Sequence, residues 1–453
     1  MRLAIIITSY NRHKSITNFI ERITILSQSK AIETHQIHVF IINNGKPLPL
    51  KDTDIVSIIP NRNLGGSGGF ARGMYEASKD STITHCLFMD DDANTNINTL
   101  INTIDTIKHT SNDCLSIVGN MINKCEPLAV YEAGAKIKFF GLKSCPIKQN
   151  LHPQNIDYGG WWFYAFPLSY TFHYPFPFFI RYDDILFGLM NKYHHKQTFK
   201  NISCTQPAFN TKFCPFLHYL LTRNKFIVAS YLAPIRASIF LRLFFLHQVI
   251  YFTFCYRYES AQAVIEGFKD GLKGTQFWVD NIECIEPKAR IDQLTRHERY
   301  DMDFDNLSTQ PIEELHHKAD SWPMKIVRAL TFNGHLLPRF LLSNALIKTT
   351  GRHKYPTRMV FLRKRILYQS PNNEKVMMLN HSKKQCFTIL GSACWLLLKT
   401  SFSLHRLLQQ YQKDIPYLTS EAFWESQFEK VEGFVKKPKG NGSLRHHEIE
   451  QGK

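Results

Sequence analysis

The stretch THCLFMDDDA, residues 84–93, joins an apolar run to three consecutive aspartates. Its first seven residues predict a buried strand, because apolar side chains are nearly continuous along them. Asp90, Asp91 and Asp92 then stand at the end of that strand, where neighbouring carboxylates repel one another and favour a cationic partner. Oxygen ligands on a short loop suit Mg²⁺ or Mn²⁺. The alternative is a solvated acidic turn or a helix N-terminus capped by Asp92 or Asn94.

Three further apolar runs predict strands in the N-terminal half of the chain: LAIIIT (3–8), HVFIIN (38–43) and VSIIP (56–60). Helical patterns alternate with them, one after the first strand and one over residues 68–79. Strands and helices that alternate at this spacing predict a doubly wound α/β sheet with right-handed crossovers. In such sheets ligands bind at the carboxyl ends of the strands.

A glycine-rich segment, NRNLGGSGGFARG (61–73), leads into the second helical pattern. Glycines before a helix let the backbone approach a diphosphate closely and direct N–H groups at it. The spacing matches neither the dinucleotide fingerprint nor a P-loop. A tight structural turn is the alternative, but the position between the second strand and the aspartates favours a nucleotide pocket.

Two aromatic-rich segments follow: GGWWF, which contains Trp161 and Trp162, and PFFIRYDD, which ends on Asp183 and Asp184. The tryptophans fit a protein core, yet aromatic faces are also surfaces on which sugars stack. A carboxylate at the edge of an aromatic-rich pocket suits a general base, because burial tunes its pKa and excludes water. The alternative for the two aspartates is an ordinary acidic helix N-terminus.

Composition limits the class of protein. The 453 residues are enough for two or three domains. A hydrophobic fraction of 44% with 13% aromatic residues excludes intrinsic disorder. The 55 Lys and Arg against 38 Asp and Glu give a net charge of +17. This excess points to an anionic partner, which is nucleic acid, an acidic membrane face or a phosphorylated substrate.

Cysteine usage and apolar segments indicate the compartment. The ten cysteines form no CxxC pair and no dense cluster, so we expect reduced, packed thiols. The N-terminus is a poor secretory signal. Arg236, Arg242 and His247 interrupt the most apolar stretch, Lys225–Cys255, so its longest uncharged run is shorter than the ~18 residues that a spanning helix needs. We therefore expect a cytoplasmic protein without a transmembrane helix, either free or peripheral on the cytoplasmic face of the inner membrane.

The character of the sequence changes near residue 225. Residues 1–225 alternate strands and helices, whereas residues 226–435 carry long helical patterns and basic segments. Within the second part, residues 235–254 fit either a helix in a membrane interface or a core helix pair whose arginines reach the surface. The tail, residues 436–453, is polar and glycine-rich and predicts a flexible segment.

Taken in order, the segments SYNR, IINNG, NLGGSGGFARG, MDDDA, GGWW and FIRYDDILFGL resemble family 2 glycosyltransferases of the GT-A fold. Within that family they look most like the galactofuranosyltransferases that use UDP-galactofuranose, and next like the rhamnosyltransferases. The resemblance covers about residues 1–225 and extends weakly through residues 263–274. It implies a Rossmann-like mixed sheet of GT-A type flanked by helices, followed by a mainly α-helical C-terminal domain.

The resemblance implies a role for each domain. Residues 1–225 would bind the nucleotide-sugar and catalyse transfer, and residues 226–435 would associate with the acceptor or a membrane. The nucleotide-sugar site would comprise Thr8, Asn11, Arg12, Asn43, Asn44, Asn63, Gly65, Gly66, Asp90 and Asp91. Asp90 and Asp92 match the metal-holding pair of the family, with Mn²⁺ or Mg²⁺ as the cofactor.

The resemblance also implies an acceptor site and a base. Trp161 and Trp162 match the aromatic wall of the acceptor site. Asp184 matches the inverting general base, with Asp183 beside it as a ligand of the acceptor hydroxyl.

One departure from the family pattern concerns the metal. Galactofuranosyltransferases carry a metal-ligand histidine downstream of the base, and the corresponding stretch here, SCTQP (203–207), has none. Thr205 is a poor replacement for imidazole. His194, His195 and His218 would serve only if the chain ran differently. We therefore expect a lower metal affinity, or a water molecule in that place.

These residues together predict an inverting, metal-dependent glycosyltransferase. It would move a sugar, best matched by galactofuranose, to a hydroxyl of a growing cell-surface polysaccharide, such as capsule or lipopolysaccharide, or of a lipid-linked glycan. A dTDP-rhamnose-dependent rhamnosyltransferase and a catalytically weak GT-A-like nucleotide-binding protein are the alternatives. A nucleic-acid-binding protein would show a basic stripe interleaved with aromatics. The N-terminal half shows none, so we expect no nucleic-acid partner; the oligomeric state stays open.

Overall fold

The structure is a computed structural model that describes residues 1–28, 36–123, 126–138, 141–145, 154–193, 195–206, 214–232, 234–303, 312–313, 321–350, 356–370 and 375–435. The predicted flexible tail, residues 436–453, lies outside these described ranges, and so does His194. The stretch that corresponds to the missing metal-ligand histidine is described as far as Gln206.

The N-terminal half is built on one mixed sheet. Its strands are β1 (Leu3–Ser9), β2 (Ile37–Asn43), β3 (Val56–Pro60), β4 (His85–Asp90), β5 (Asn94–Thr95), β6 (Leu115–Asn123), β7 (Glu126–Glu132), β10 (Gln154–Asn155), β11 (Tyr164–Pro167) and β12 (His195–Gln206). A separate two-stranded sheet consists of β8 (Ala135–Lys138) and β9 (Gly141–Ser144). The main order is β10-β12-β6-β11-β4-β1-β2-β3, with β5 paired to β12 and β7 to β6.

Strand direction explains where the motifs meet. β3, β2, β1 and β4 are parallel, so β1, β2 and β4 end at the same edge of the sheet, at Ser9, Asn43 and Asp90. β11 lies antiparallel between β4 and β6, and β12 is parallel to β6. The four strands predicted from apolar runs are confirmed, and β1 is central and buried, as its continuous apolar run requires.

Four helices lie against or beside this sheet: α1 (His13–Gln28), α2 (Gly65–Ser78), α3 (Ile97–His109) and α4 (Asp183–Met190). The glycines of α2 let it approach β1 very closely. A Cβ at Gly69 would lie 2.2 Å from Cγ2 of Thr8, and a Cβ at Gly73 would lie 2.1 Å from Cγ2 of Ile6. These two glycines therefore serve helix–strand packing.

The C-terminal part is mainly helical. Its helices are α5 (Pro215–Leu232), α6 (Pro234–Phe254), α7 (Tyr258–Gly271), α8 (Gln276–Asp280), α9 (Ile285–Leu294), α10 (Trp322–Leu330), α11 (Pro356–Val360), α12 (Lys383–Lys399), α13 (Leu404–Leu418) and α14 (Glu421–Val435). The predicted α/β class, with a mixed sheet flanked by helices and a mainly helical part after it, is confirmed. Helix α5 runs across residue 225, and the division into domains stays a prediction.

The C-terminal part also contains a sheet that the sequence patterns do not predict. Its strands are β13 (Met302–Asp303), β14 (Ile312–Glu313), β15 (Leu346–Thr350), β16 (Arg365–Gln369) and β17 (Lys375–Asn380). They lie in the order β13-β17-β16-β15-β14. β13 and β14 have two residues each, which is too short to show a period of two in sequence.

The C-terminal part packs on the N-terminal sheet domain through α14. The guanidinium of Arg72 in α2 lies 5.1 Å from the ring centre of Phe428. Tyr75 Oη donates a 2.7 Å hydrogen bond to Glu425. Both contacts join the glycine-rich helix α2 to α14. Buried apolar residues from the two parts also form one continuous core.

One described segment is long and apolar enough to cross a membrane by length and composition. It is Arg236–Phe254 in α6, with a mean hydropathy of 1.5 and 33% of the tested window buried. The sequence expectation of no transmembrane helix stays a prediction, because length and composition do not separate a spanning helix from a core helix. Helices α12 and α13 meet the same condition only as a pair, which is bent by 74°. A core helix also meets it, so the finding alone assigns no location.

We expect Gly73→Ala to lower the free energy of unfolding by about 1–3 kcal/mol, because the new methyl group would overlap the side chain of Ile6. Gly391→Ala in α12 is the matched control, since a Cβ there meets nothing within 4 Å and alanine favours a helix. Thermal unfolding of both variants checks this. An unchanged melting temperature for Gly73→Ala would contradict the packing described here.

Candidate active site

The three aspartates at the end of β4 have a cationic partner, as their sequence predicts. Nη1 of Arg12 lies 3.1 Å from Oδ2 of Asp92, and its Nε lies 3.5 Å from Oδ1 of Asp91. Burial raises the pKa of Asp91 to about 6, and the Arg12 guanidinium opposes that shift. The structure thus brings Arg12 and the aspartates together and leaves this group of carboxylates only partly neutralised.

A residue that the sequence patterns did not single out, Gln206, touches two of these carboxylates. Its Nε2 donates 2.9 Å hydrogen bonds to Oδ2 of Asp90 and Oδ1 of Asp92. The side chain is 1% exposed, and its Oε1 has no hydrogen-bond partner among the residues that the structure describes. Among the described residues, no group of three or more His, Cys, Asp and Glu is arranged to hold a metal.

Strand pairing explains why Gln206 and not Thr205 reaches the aspartates. β5 pairs antiparallel with β12, with Thr205 opposite Asn94, and Oγ1 of Thr205 donates to the Asn94 carbonyl at 3.3 Å. Neighbouring side chains in a strand point to opposite faces, so Gln206 turns towards the carboxylates.

The histidines considered as substitutes are placed elsewhere, as far as they are described. His195 begins β12 and Gln206 ends it. A strand rises roughly 3.3 Å per residue, so His195 lies far from Gln206 and the aspartates that Gln206 contacts. His218 in α5 packs on Phe252, with the ring centres 4.3 Å apart, and burial lowers its pKa well below the usual range.

A cavity of about 710 Å³ opens beside the aspartates. This volume is within the range of small-ligand pockets. The lining residues come from the end of β1, from α1, from the aspartate loop and from the end of β12: Ile7, Arg12, Ser15, Ile16, Asn18, Phe19, Glu21, Arg22, Met89, Asp90, Asp91, Asp92, Ala93, Asn94 and Thr205.

The predicted nucleotide-binding asparagines hold the loops at this sheet edge. Oδ1 of Asn11 accepts a 2.9 Å hydrogen bond from the Lys46 backbone, and Nδ2 of Asn43 donates to the Lys46 carbonyl at 2.8 Å. Asn11 itself has a left-handed φ of 56°, a conformation that asparagine tolerates better than most residues. The structure brings Asn11 and Asn43 together in one turn.

Asn44 and Asn63 hold the start of the glycine-rich helix. Nδ2 of Asn44 donates to the Gly65 carbonyl at 3.0 Å, and Oδ1 of Asn63 accepts from the Gly65 backbone at 3.2 Å. Asn61, which is part of the glycine-rich motif, donates to Oδ1 of Asn44 at 2.9 Å. These side chains thus connect the end of β2 to α2.

The first turn of α2 lies against the loop that precedes Asp183. Gly65 has a φ of +68°, and a Cβ there would lie 2.1 Å from the Phe179 carbonyl oxygen. Oγ of Ser67 donates a 3.0 Å hydrogen bond to Oδ2 of Asp183. Gly66 lies beside the same carboxylate, since a Cβ there would be 3.6 Å from it. Gly65 and Gly66 are thus brought to the aspartate pair.

The loop before the aspartate pair has an unusual backbone. Phe179, Arg181 and Tyr182 all have left-handed φ values between 66° and 76°, which cost roughly 1–2 kcal/mol each for residues with a side chain. Two buried residues of α5 hold this loop by hydrogen bonds. Nη2 of Arg223 donates to the Phe178 carbonyl at 2.7 Å.

The second of these residues is Asn224. Its Nδ2 donates to the carbonyls of Ile180 at 2.9 Å and Arg181 at 3.0 Å. Sequence patterns did not identify Arg223 and Asn224, because two polar residues in an apolar helix carry no signal of the distant loop that they contact.

Asp183 and Asp184 form the first turn of α4, as the helix-terminus alternative predicts. Their environment also suits a general base. Burial raises the pKa of Asp183 to about 6. Burial, the neighbouring Asp183 and the nearby Glu132 raise the pKa of Asp184 well above its usual range. A carboxylate with a raised pKa accepts a proton more readily.

Both predicted acceptor-site tryptophans are core residues, with exposed fractions of 5% for Trp161 and 4% for Trp162. Trp161 packs between Phe70 and Phe88, with ring centres 5.0 Å and 5.1 Å away. Nε1 of Trp162 donates to the Gly119 carbonyl at 2.7 Å. This burial favours the core alternative, and a role at the acceptor site stays a prediction.

Two curated proteins resemble the chain. It is 26% identical over 268 residues to galactofuranosyltransferase GlfT2 of Mycolicibacterium smegmatis, and the aligned stretch covers 52% of this chain and 41% of that protein. It is 30% identical over 162 residues to galactofuranosyltransferase GlfT2 of Mycobacterium tuberculosis, and this alignment covers 31% of this chain and 25% of that protein. The chain therefore matches less than half the length of either relative. The resemblance to galactofuranosyltransferases that the motifs indicate is confirmed.

No protein-family model matches the chain. Among solved structures, S. aureus TarS 1-349 is 14% identical, and the match covers 67% of this chain and 94% of that chain at a TM-score of 0.36.

We expect Asn224→Ala to lower the free energy of unfolding by about 1–3 kcal/mol for each carbonyl that loses its donor. The same substitution at Asn102 is the control, because Asn102 makes one exposed hydrogen bond to the Asn201 carbonyl. Thermal unfolding compares the two. Equal melting temperatures would show that Asn224 does not hold the left-handed loop.

Proposed function

We propose that this chain is an inverting, metal-dependent glycosyltransferase that transfers galactofuranose from UDP-galactofuranose to a hydroxyl of a glycan. The names of the two curated relatives support the reaction class and the donor. In this proposal the acceptor belongs to a growing cell-surface polysaccharide, such as capsule or lipopolysaccharide, or to a lipid-linked glycan. The protein would then work in the cytoplasm, at the membrane face where such carriers are displayed.

One observation carries this proposal: the first turns of α2 connect the two sets of carboxylates. Asp90 lies opposite Thr8 in the register of β4 and β1, and Thr8 contacts Gly69. Two residues earlier in α2, Ser67 bonds to Asp183. A metal-binding pair and a candidate base therefore flank one short segment of backbone, where a nucleotide-sugar would lie between them.

The proposed chemistry uses the aspartate pair as its proton acceptor. Asp184 would take the proton of the acceptor hydroxyl while that oxygen bonds to the anomeric carbon from the face opposite the nucleotide. The bond from the anomeric carbon to the diphosphate breaks at the same time, so the configuration inverts and UDP leaves. Asp183, held by Ser67, would orient the acceptor hydroxyl.

Asp90, Asp92 and Gln206 fit a divalent cation. Two carboxylates converge on a buried amide whose oxygen has no partner, and carboxylates and amide oxygens are ligands that Mg²⁺ and Mn²⁺ accept. When bound, the cation supplies positive charge that stabilises the departing diphosphate. Arg12 adds a second positive charge beside the same carboxylates.

The alternatives predict different donors. A rhamnosyltransferase would release dTDP from dTDP-rhamnose, and a catalytically weak nucleotide-binding protein would bind UDP without turnover. A screen of UDP and dTDP sugars with Mn²⁺ or Mg²⁺ and defined glycan acceptors separates all three. Release of UDP only from UDP-galactofuranose supports the proposed donor, and release of dTDP instead contradicts it.

We expect Asp184→Asn to lower the transfer rate roughly 10²–10⁴-fold while donor binding persists, because the amide cannot accept the proton. The pKa of Asp184 is raised in the fold, so the free energy of unfolding falls as the pH rises from the ordinary pKa of the carboxyl to its raised pKa, and the full cost remains above that. That cost disappears only below the ordinary pKa, where the carboxyl is protonated in both states. The variant should therefore be at least as stable as the wild type at neutral to alkaline pH.

The matched control is Asp105→Asn on the exposed side of α3, which should keep the wild-type rate. Product release measured with purified protein, together with thermal unfolding against pH, checks both statements. A wild-type rate in Asp184→Asn would rule out this residue as the base.

A further inference from the structure

Gln206 offers an oxygen ligand in a chain that lacks the family's metal-ligand histidine. We propose that Oε1 of Gln206 is the third protein ligand of the divalent cation, so that the metal site consists of oxygen atoms alone. This inference rests on the metal part of the proposed function and concerns the selectivity of that same site.

The position of the amide supports this role. Its Nε2 lies 2.9 Å from one oxygen of Asp90 and 2.9 Å from one oxygen of Asp92. Adjacent ligands of an octahedral Mg²⁺, each about 2.0–2.1 Å from the ion, are themselves about 2.9 Å apart. A half-turn of the amide places Oε1 where Nε2 lies now, at the spacing that a shared cation requires.

Among the described residues, no hydrogen bond holds the other side of the amide. Oε1 is buried and accepts no hydrogen bond from this part of the chain, so the half-turn gives up the two bonds to the carboxylates. A cation replaces both of those bonds. Without a cation, the amide N–H groups of Gln206 donate hydrogen bonds to both carboxylates and keep them together.

The donor set has a consequence for selectivity. Imidazole suits the later transition metals such as Fe²⁺, Ni²⁺, Cu²⁺ and Zn²⁺, whereas carboxylate and carbonyl oxygens suit Mg²⁺, Ca²⁺ and Mn²⁺. A site with Gln206 should therefore discriminate against Co²⁺ and Zn²⁺ more strongly than a site with histidine.

The test measures Mn²⁺ binding to the full chain by electron paramagnetic resonance, with and without UDP, and competition by Mg²⁺, Co²⁺ and Zn²⁺. We expect Gln206→Ala to weaken Mn²⁺ binding at least tenfold, as loss of supporting ligand groups typically does. Gln206→His should bind Co²⁺ and Zn²⁺ at least tenfold more tightly relative to Mg²⁺ than the wild type does. Ser203→Ala, three residues earlier in β12 and outside the cavity lining, should bind as the wild type.

Two results would overturn the inference. One is wild-type Mn²⁺ binding in Gln206→Ala. The other is a wild type that binds no Mn²⁺ with or without UDP. Failure of the proposed function looks different: Mn²⁺ binding would depend on Gln206 in a protein that transfers no sugar from any donor.

A second, independent observation is a basic surface that also exposes large apolar side chains. Residues 321–402 contain 14 Lys and Arg and one acidic residue, Glu374, so they carry +13 of the chain's net charge of +17. We propose that this segment binds the surface of an anionic membrane through α10, α12 and the turn after α12.

Exposed aromatic side chains lie along this surface. No residue of α10 is buried. In α12, Phe387, Trp395 and Leu398 are exposed at spacings that put them on one helix face. Trp395 is 69% exposed, and Phe402 in the following turn is 93% exposed.

The two helices form one surface. The rings of Phe332, just after α10, and Phe387 in α12 are 6.1 Å apart. Lys325 of α10 and Lys383, Lys384 and Lys399 of α12 are exposed around the aromatic side chains. Aromatic anchors flanked by lysines are typical of helices that lie in a membrane interface, and the positive charge favours an anionic membrane over a neutral one.

Sedimentation with phosphatidylcholine vesicles, with and without phosphatidylglycerol, tests this surface. We expect binding only with phosphatidylglycerol and release at high salt. Phe402→Ser should weaken it several-fold, and Lys384→Glu with Lys399→Glu should weaken it roughly fivefold per residue. Phe172→Ser, at an exposed phenylalanine outside this surface, should bind as the wild type.

Three outcomes would overturn the proposal. Equal binding to both kinds of vesicle would exclude recognition of charge. Association that only detergent reverses would point to insertion of α6. A dimer that Phe402→Ser converts to a monomer, without any effect on vesicle binding, would identify the surface as a contact between two copies of the chain.

Discussion

The close contact of α2 with β1 is the constraint on which most of the candidate site depends. Glycines at 69 and 73 leave no side chain between helix and strand, so the backbone of α2 lies directly over the end of β1. From that position its first turn reaches two other elements. Asn44 at the end of β2 bonds to the Gly65 carbonyl, and Ser67 bonds to Asp183 at the start of α4. A helix held further from the sheet by ordinary side chains would make neither contact.

The helical part of the chain holds this arrangement from outside. Helix α14 packs on the outer side of α2 through Tyr75 and Arg72, and Arg62 at the start of the glycine-rich motif pairs with Glu283 at 2.7 Å. Arg223 and Asn224 hold the left-handed loop before the aspartate pair. The C-terminal residues therefore support the candidate site physically, in addition to forming a strongly basic surface.

The candidate site combines energetically unfavourable features that most folds avoid. Three residues with side chains adopt left-handed φ values, and burial raises the pKa of both Asp183 and Asp184. Such features persist only where surrounding bonds enforce them, and here the bonds come from Ser67 and Asn224. Unfavourable ionisation is useful to a general base, because the same burial that destabilises the carboxylate makes it accept a proton. Stability and the proposed chemistry thus make opposite demands on the aspartate pair.

The sequence by itself determined the strands β1 to β4, the meeting of their polar ends at one sheet edge, and the resemblance to galactofuranosyltransferases, because continuous apolar runs and contiguous motifs are local signals. Only the tertiary structure distinguished Gln206 from Thr205. That choice depends on which face of β12 meets the aspartates, and a register shift between Thr198 and Ser203 changes it without a trace in the local pattern. The five-stranded C-terminal sheet was missed, and two of its strands are too short to show a period. Arg223, Asn224 and the burial of Trp161 and Trp162 were likewise decided by contacts between residues far apart in the chain, which no local pattern encodes.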